Sequence, residues 1–417
     1  MTKAVNNLRG KYAIVGVGET EFSRNSGRTT RRMGVEAIRN AVHDSGLEWD
    51  STSWGMMAYG SNDRAFSDQI AQDLGIQLDY HVDIFGGGNS TETMIGAAIG
   101  ALEGGLADAF ILYRTMNGYT EARIGGTPVG DAPPPMFPTT HANSMIHQGI
   151  YGVGSALQMF GLSFVRHMWE YGTTLEQLAH VKVAHSKGAS NNPKAYYKTR
   201  YTVDDVLNSR LIVWPFGLLH CCVETDNATA IVITDIERAK SLRHPPATIL
   251  GTAGRTHKYG PEYHWGYGPI NRHAGIFGRE ILWPNSGVQP HEVDITGSYD
   301  AFTFTALFQL EAYGFCDFGE GGEYVSNGTI ELGGARPNNP SGGHLCEGYT
   351  HGMNMVVENV RQLRGTVDDY CPNWADGEHS HDYSEGHCRQ VENAQITANL
   401  GWGMPSQGSA LVMTNQV

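Results

Sequence analysis

The chain has 417 residues, 40% of them hydrophobic and 17% charged, which gives room for two core-bearing lobes or one duplicated domain with insertions. Its net charge of −14 argues against a nucleic-acid partner, because neutralising phosphates needs clustered Lys and Arg; a local basic pocket for a phosphate-bearing small molecule remains compatible. No apolar run approaches the roughly 20 residues of a membrane span. No signal-peptide core precedes Lys11–Gly18, and the six cysteines (Cys221, Cys222, Cys316, Cys346, Cys371, Cys388) contain no CxxC pair, so the expected home is a reducing cytoplasm.

The first half reads as alternating strands and helices. Tyr12–Val17 is a short apolar strand closed by Gly16 and Gly18, and Thr29/Thr30 can cap a helix to about Ser45 with Met33, Ala37, Ile38 and Ala41 on one face. Trp54–Tyr59 and Val82–Phe85 are strand candidates with a helix, Ser67–Leu74, between them. Gly86-Gly87-Gly88 leads into Ser90–Glu103, whose small apolar residues suit a helix packed between other elements, and Ala109–Tyr113 reads as a buried strand. From Arg114 to about Pro215 the pattern changes. Pro128, Pro133–Pro135 and Pro138 mark an irregular loop, and helices over Gly154–Tyr171 and Leu175–Ser186 suggest an inserted helical subdomain, after which a strand returns at Thr229–Thr234.

The second half repeats the theme. Strands are expected at Thr248–Gly251, Val293–Ile295, Ile396–Leu400 and Ala410–Thr414, and helices at Ile270–Ile281, Ala301–Ala312 and Met353–Leu363. Two such halves argue for α/β layers with helices covering sheets. The boundaries are 1–240, with the subdomain at about 114–215, and 241–417. The 53 glycines fit a site assembled from tight loops.

Several segments, in order along the whole chain, resemble the thiolase superfamily in its sterol-carrier and lipid-transfer-type branch. They are Ala13-Ile14-Val15-Gly16-Val17-Gly18-Glu19-Thr20 with the helix after it; Glu224-Thr225-Asp226-Asn227-Ala228-Thr229-Ala230; Tyr313-Gly314-Phe315-Cys316 with Gly319–Gly322; Asn339-Pro340-Ser341-Gly342-Gly343; and Gln362-Leu363-Arg364-Gly365. The resemblance implies a thiolase fold: two βαβαβαββ-type halves in a five-layered α-β-α-β-α core, with a loop subdomain and a dimer as the basic unit.

The departures from that pattern carry the functional reading. Thiolases place a nucleophilic cysteine at the entrance of the central helix, where the helix N-terminus lowers its pKa. Here the segment is Phe85-Gly86-Gly87-Gly88, with Gly86 read at the nucleophile's position. The Gly-His-Pro motif stands as Gly348-Tyr349-Thr350, the Cys-x-Gly motif as Gly401-Trp402-Gly403, and the His-Asp-x-Phe segment as Tyr299-Asp300-Ala301-Phe302. Covalent acyl transfer through the usual cysteine is therefore not available. Two phenols can still exchange protons, and retro-aldol chemistry needs a base, an acid and an oxyanion hole but no covalent intermediate.

The pattern resembles most the thiolase-like aldolases of bacterial steroid side-chain degradation. That resemblance implies cleavage of a β-hydroxyacyl-CoA, such as a 17-hydroxy-pregnene-carboxyl-CoA, to a ketone or aldehyde plus a short acyl-CoA such as propanoyl-CoA. It implies Tyr299 and Tyr349 as the acid/base pair, with backbone N–H groups at Gly86, Gly87 and Gly403 as oxyanion donors. It also implies a small partner with an OB-fold and a zinc ribbon, in a heterotetramer around the homodimer, with coenzyme A entering only as substrate. Asp300 could orient a phenol or only cap the helix near Phe302. Two other readings stay open: a thiolase using Cys346 as an unconventional nucleophile, and a non-catalytic lipid or acyl-CoA carrier.

Cys371, His379, His381, His387 and Cys388 crowd one polar stretch, but their spacing fits no standard zinc pattern, and Pro372, Asp376, Glu378 and Asp382 suggest a surface loop. Cys221-Cys222 reads as packing before the Thr229 strand. Tyr263 and His264–Tyr267, including Trp265, form an aromatic patch suited to a bulky apolar substrate or to a core.

Overall fold

The computed structural model describes residues 8–60, 65–121, 151, 155–256, 274–367, 381–403 and 407–416. In chain order these form β1 (Tyr12–Glu19), α1 (Thr30–Ser45), β2 (Trp54–Gly60), α2 (Ser67–Leu74), β3 (Tyr80–Phe85), α3 (Ser90–Glu103) and β4 (Ala109–Asn117). Next come α4 (Ala156–Tyr171), α5 (Leu175–Ser190), β5 (Leu211–Val213), β6 (Phe216–Gly217) and β7 (Asp226–Asp235). The second half holds β8 (Ala247–Thr256), α6 (Gly275–Ser286), β9 (Ile295–Ser298), α7 (Thr303–Tyr313), α8 (Met353–Arg364), β10 (Ile396–Trp402) and β11 (Gln407–Thr414).

The strand order is β3-β2-β4-β7-β1-β8-β11-β10-β9. β1 and β8 meet through only two residue pairs, Ala13 with Thr248 and Ile14 with Ala247, so the order falls into two mixed sheets joined at a narrow seam. α3 and α8 touch strands of both sheets and form the central layer. Met94, Ile95 and Ala98 of α3 share one apolar cluster with Val356, Val357 and Val360 of α8, alongside Ile231, Ile233, Leu411 and Met413 from the strands. α1 covers the outer face of the first sheet, and α6 covers β8 and β11 on the outer face of the second. This is the five-layered α-β-α-β-α arrangement. α4 and α5 pack on α7, and α5 also meets the short turns Gly321–Ser326 and Gly343–Cys346.

Local chemistry explains the boundaries. α1 starts where Thr29 accepts from the Arg32 N–H and stops at Gly46 in the left-handed region. α4 and α5 open with capping boxes, Ser155/Gln158 and Thr174/Gln177, so α4 begins two residues after the Gly154 read from the sequence. α5 continues past Ser186 to Ser190. The helix expected from Ala301 starts at Thr303 because Tyr299–Phe302 is claimed by other partners: the Tyr299 N–H donates to the Leu400 carbonyl at 3.0 Å and the Cys222 N–H to the Ala301 carbonyl at 2.9 Å. β9 lies later than expected, at Ile295–Ser298, because Pro290–Glu292 is a 3-10 turn. α6 runs past Pro284 to a left-handed Gly287; residues 270–273 of the expected helix lie outside the described residues. The proline-rich loop and the Tyr263–Tyr267 patch lie there too.

Among the described residues no helix is long and apolar enough to cross a membrane. None of their His, Cys, Asp and Glu side chains group in threes fit for a metal ion. Of the polar stretch, Cys371 and His379 lie outside the described residues, Cys388 is buried, and His387 faces Asp382 at 3.6 Å.

Candidate active site

The two tyrosines singled out by the sequence meet: the Tyr299 and Tyr349 hydroxyls are hydrogen-bonded directly to each other. Both side chains are buried within the largest apolar cluster, beside Phe302, Phe308 and Trp402. Two unrelated stretches of chain make this pair. Tyr299 follows β9, and Gln309 of α7 grips its backbone from both sides, accepting from its N–H at 3.2 Å and donating to its carbonyl at 2.8 Å. Tyr349 ends the loop that begins at Asn339, and its N–H donates to Thr225 Oγ1 at 3.0 Å. The neighbouring Asp226 carboxylate accepts from the Tyr119 and Thr120 N–H groups, each at 3.0 Å, which pins that segment to the end of β4.

Asp300 touches neither phenol through the hydrogen bonds of its carboxylate. Its oxygens accept from the His344 N–H at 2.8 Å, the Leu345 N–H at 3.2 Å and His185 Nδ1 at 2.9 Å. Burial works against this carboxylate's charge, but the His185 hydrogen bond, with His185, His344 and the backbone donor, holds its pKa below the ordinary value. Asp300 is thus the anchor of the Gly343–Cys346 turn. Gly343 lets the turn approach, because a Cβ there would lie 2.3 Å from Asp300 Oδ2 and the residue has φ +56°.

The triple glycine borders the pair through Gly88 rather than Gly86. A Cβ on Gly88 would stand 2.1 Å from Tyr299 Cε2 and 2.5 Å from the Trp402 carbonyl, whereas one on Gly86 would meet Ser90 Oγ at 2.2 Å. Gly87 accepts the Ser90 N–H, and Gly86 accepts the Tyr59 hydroxyl at 2.6 Å, which ties the entrance of α3 to β2. The Gly403 amide, expected to be an oxyanion donor, is instead bonded to the Gln407 carbonyl at 3.2 Å. Gly401 faces Glu92 of α3 and Ser409 of β11.

Two histidines that the sequence did not single out frame Tyr349. The His344 ring lies 4.5 Å from the Tyr349 ring and 5.1 Å from the Tyr299 ring. Its Nε2 accepts the Gly352 N–H at 3.0 Å, and burial, opposed by Asp300, lowers its pKa to about 4, so it is neutral at pH 7. The His351 ring lies 4.7 Å from the Tyr349 ring, and its pKa is also lowered, by burial first and then by Arg114. A repeated pattern of histidine next to glycine around Tyr349 (Gly343-His344 and His351-Gly352) was the available signal.

Burial raises the pKa of both phenols. For Tyr299 the bond to Tyr349 opposes that rise, while for Tyr349 the charge and hydrogen bond of Tyr299 add to it. Cys346, the unconventional nucleophile considered above, is fully buried beside Lys182, and burial raises its thiol pKa despite that lysine. A nucleophilic cysteine needs the opposite environment. Two cavities among the described residues, of about 60 Å³ beside Leu8 and Thr252 and about 200 Å³ beside Tyr12 and Asp235, do not border the phenols.

Layers, seam and loop define a thiolase-fold protein with a tyrosine pair at its centre. The family model described as thiolase C-terminal domain-like matches residues 283–415. The 17-hydroxy-3-oxo-4-pregnene-20-carboxyl-CoA lyase of Mycobacterium tuberculosis is 36% identical, over 97% of this chain and 100% of its own length. The steroid side-chain-cleaving aldolase of Thermomonospora curvata is 34% identical over 97% of this chain and 98% of its own length. The solved Ltp2-ChsH2(DUF35) aldolase superposes with a TM-score of 0.83 at 30% identity, covering 98% of this chain and 99% of that one. The chain belongs to the thiolase superfamily, and within it to the thiolase-like steroid side-chain-cleaving aldolases.

Proposed function

We infer that the protein is a retro-aldol carbon–carbon lyase acting on a β-hydroxyacyl-CoA with a steroid-type β-substituent. The observation that carries the reading is the Tyr299–Tyr349 hydrogen bond, which joins an acid and a base at the centre of a thiolase fold. One phenolate removes the β-hydroxyl proton. The Cα–Cβ bond then breaks as the β-carbon becomes a carbonyl, and its electron pair passes to Cα and the thioester oxygen as an enolate. The other phenol returns a proton to Cα, so the proton count closes without a covalent enzyme intermediate.

The enolate oxygen is assigned to backbone amides at the Gly86–Gly88 entrance of α3, where the helix N-terminus adds positive potential. With the Gly403 N–H engaged by the Gln407 carbonyl of β11, this entrance is the remaining donor of the set read from the sequence. Asp300 supports the pair by fixing the Tyr349 loop. Products are a ketone or aldehyde and a short acyl-CoA, propanoyl-CoA in the reading drawn from resemblance. Coenzyme A enters as part of the substrate. The ChsH2(DUF35) component of the neighbouring solved aldolase supports an OB-fold, zinc-ribbon partner for this chain. That partner would sit on a homodimer core, and the assembly would work in the cytoplasm.

The test is turnover of 17-hydroxy-3-oxo-4-pregnene-20-carboxyl-CoA by the chain co-purified with such a partner. Tyr299→Phe and Tyr349→Phe should each lower kcat by about 10²–10⁴-fold, the range of general acid–base catalysis. Full activity in either variant removes the corresponding tyrosine from the mechanism.

A further inference from the structure

Arg114 is among the largest fully buried side chains in the protein, at the end of the apolar run Ala109–Tyr113. A guanidinium is costly to remove from water, so such a residue carries a strong local effect. Part of it is structural: Nη1 donates to the Tyr59 carbonyl at 3.1 Å and to the Thr115 carbonyl at 3.3 Å. The rest reaches His351 and Tyr59. Nε donates to His351 Nδ1 at 3.3 Å, and the guanidinium carbon sits 4.4 Å from the Tyr59 ring centroid.

His351 connects that charge to the phenols. Its ring is edge-on to Tyr349 and nearly parallel to Tyr299, 28° between planes with centroids 6.4 Å apart. It holds this place in a left-handed backbone conformation, φ +53°, which is rare outside glycine, and Thr91 Oγ1 donates to its carbonyl at 3.1 Å. Because Nδ1 accepts from Arg114, the proton of the neutral ring resides on Nε2.

We propose that Arg114 is the counter-charge of the Tyr299–Tyr349 pair, a positioning residue that, with His351, keeps one of the two phenols available as the phenolate that starts cleavage. The proposal rests on the tyrosine reading above. A phenol buried in an apolar cluster resists ionisation, and a fixed cation in the same low-dielectric region opposes that resistance. The phenols of Tyr59, Tyr349 and Tyr299 each act to raise the Arg114 pKa, and charge–charge attraction is reciprocal, so the guanidinium favours their ionised forms. Burial lowers the Arg114 pKa, but guanidinium stays protonated at any physiological pH, which a lysine in the same place would not guarantee. The other titratable groups facing the pair are Tyr59 from β2, Cys222 from the segment before β7, Asp300 beside Tyr299, and His344 and His351 from the loop. None of them carries positive charge at neutral pH.

The experiment is the pH profile of kcat/KM for cleavage of 17-hydroxy-3-oxo-4-pregnene-20-carboxyl-CoA by the full chain with its partner. Arg114→Gln is expected to move the rising limb at least one pH unit to the alkaline side, lowering kcat/KM at pH 7 at least tenfold and leaving KM within threefold. Arg114→Lys should move the limb less. A limb that stays in place, whether activity is uniformly reduced or unchanged, overturns the proposal. Should Arg114→Gln not fold, phenolate absorbance is titrated in the native protein and in Tyr349→Phe. A phenol that ionises at lower pH than the other buried tyrosines, such as Tyr113 and Tyr313, and whose step is lost in the variant supports the counter-charge; indistinguishable titrations overturn it. The two readings separate cleanly. Full cleavage by Tyr349→Phe defeats the tyrosine mechanism, whereas an inactive Tyr349→Phe with an unshifted Arg114→Gln limb defeats only the role of Arg114.

Discussion

The Glu92 carboxylate fills the place of the side chain that Gly401 lacks: a Cβ on Gly401 would stand 2.3 Å from Glu92 Oε2. Ser409 closes the other side, its Oγ donating to the same oxygen at 2.7 Å. Position 401 is the one read from the sequence as that of the cysteine in the thiolase Cys-x-Gly motif. Here a carboxyl delivered from the central helix occupies the space beside Gly401.

That acid gives the fold a pH dependence of known sign. Burial pushes the Glu92 carboxyl up to about 7, against the Ser409 hydrogen bond. The native state therefore binds this proton more tightly than the unfolded chain does. The contribution is full below the unfolded value of 4.5 and is lost as pH rises through about 7. Glu92→Gln removes the dependence, so it should stabilise the protein at pH 8 relative to wild type, by up to about 3 kcal/mol, and show no such gain at pH 5. Tm measured against pH for both proteins checks this. Glu347, pushed up to about 8 by burial and by Glu19 and Glu358, leaves a residual alkaline decline in both. Parallel curves would show that Glu92 does not titrate as described.

Within the triple glycine, the geometry makes sharply different predictions for neighbouring positions. A methyl group on Gly88 collides with the Tyr299 ring and the Trp402 carbonyl, and neither can retreat within the packed cluster. On Gly86 the obstacle is the Ser90 hydroxyl, a small group that can rotate. Gly88→Ala should therefore lower kcat by about 10²-fold through displacement of Tyr299, while Gly86→Ala should cost under tenfold. Steady-state kinetics of the two variants decide it. Equal losses would show that a side chain at Gly86 disturbs the phenols as much as one at Gly88.

This distinction marks the limit of what the sequence carries. Three consecutive glycines fix a tight entrance to α3 but not which of them faces the reacting groups, since that depends on the rotation of the helix against β10. Tyr299 and Tyr349 were legible because each stands in a motif with a recognisable frame, Asp-Ala-Phe after one and Gly before the other. Arg114 and Glu92 were not, because each is a single charged residue at the end or middle of an apolar run, and only the packing of both sheets around α3 shows them to be buried. Asp300 reads from the sequence as orienting a phenol or capping the helix near Phe302, and its carboxylate instead binds the His344 and Leu345 N–H groups and His185. A carboxylate next to a candidate acid/base tyrosine invites a bond to the phenol, yet its acceptors are claimed by backbone N–H groups 44 and 45 residues away in sequence.

Those long-range bonds make Asp300 the most exacting test of the architecture. The carboxylate holds two backbone N–H groups and His185 in a site from which water is excluded, so an amide cannot replace it evenly. Asp300→Asn leaves His185 without its anionic partner and weakens the anchor of the Gly343–Cys346 turn. The expected cost at pH 7 is about 3–5 kcal/mol, the penalty for removing the buried carboxylate from a network of three donors that then lose their acceptor. The sign in acid follows from the lowered native pKa. The stabilisation is present above the unfolded value of 3.8 and is lost as pH falls through the lower native value. The gap between wild type and variant should thus be wide at pH 7 and narrow towards pH 2, as read from denaturant midpoints. The turn also aims Tyr349, so the folded fraction of the variant should show kcat reduced about 10²-fold even though Asp300 donates nothing to either phenol. A variant that is destabilised yet turns over at the wild-type rate would confine Asp300 to holding the fold and leave the aim of Tyr349 to Thr225.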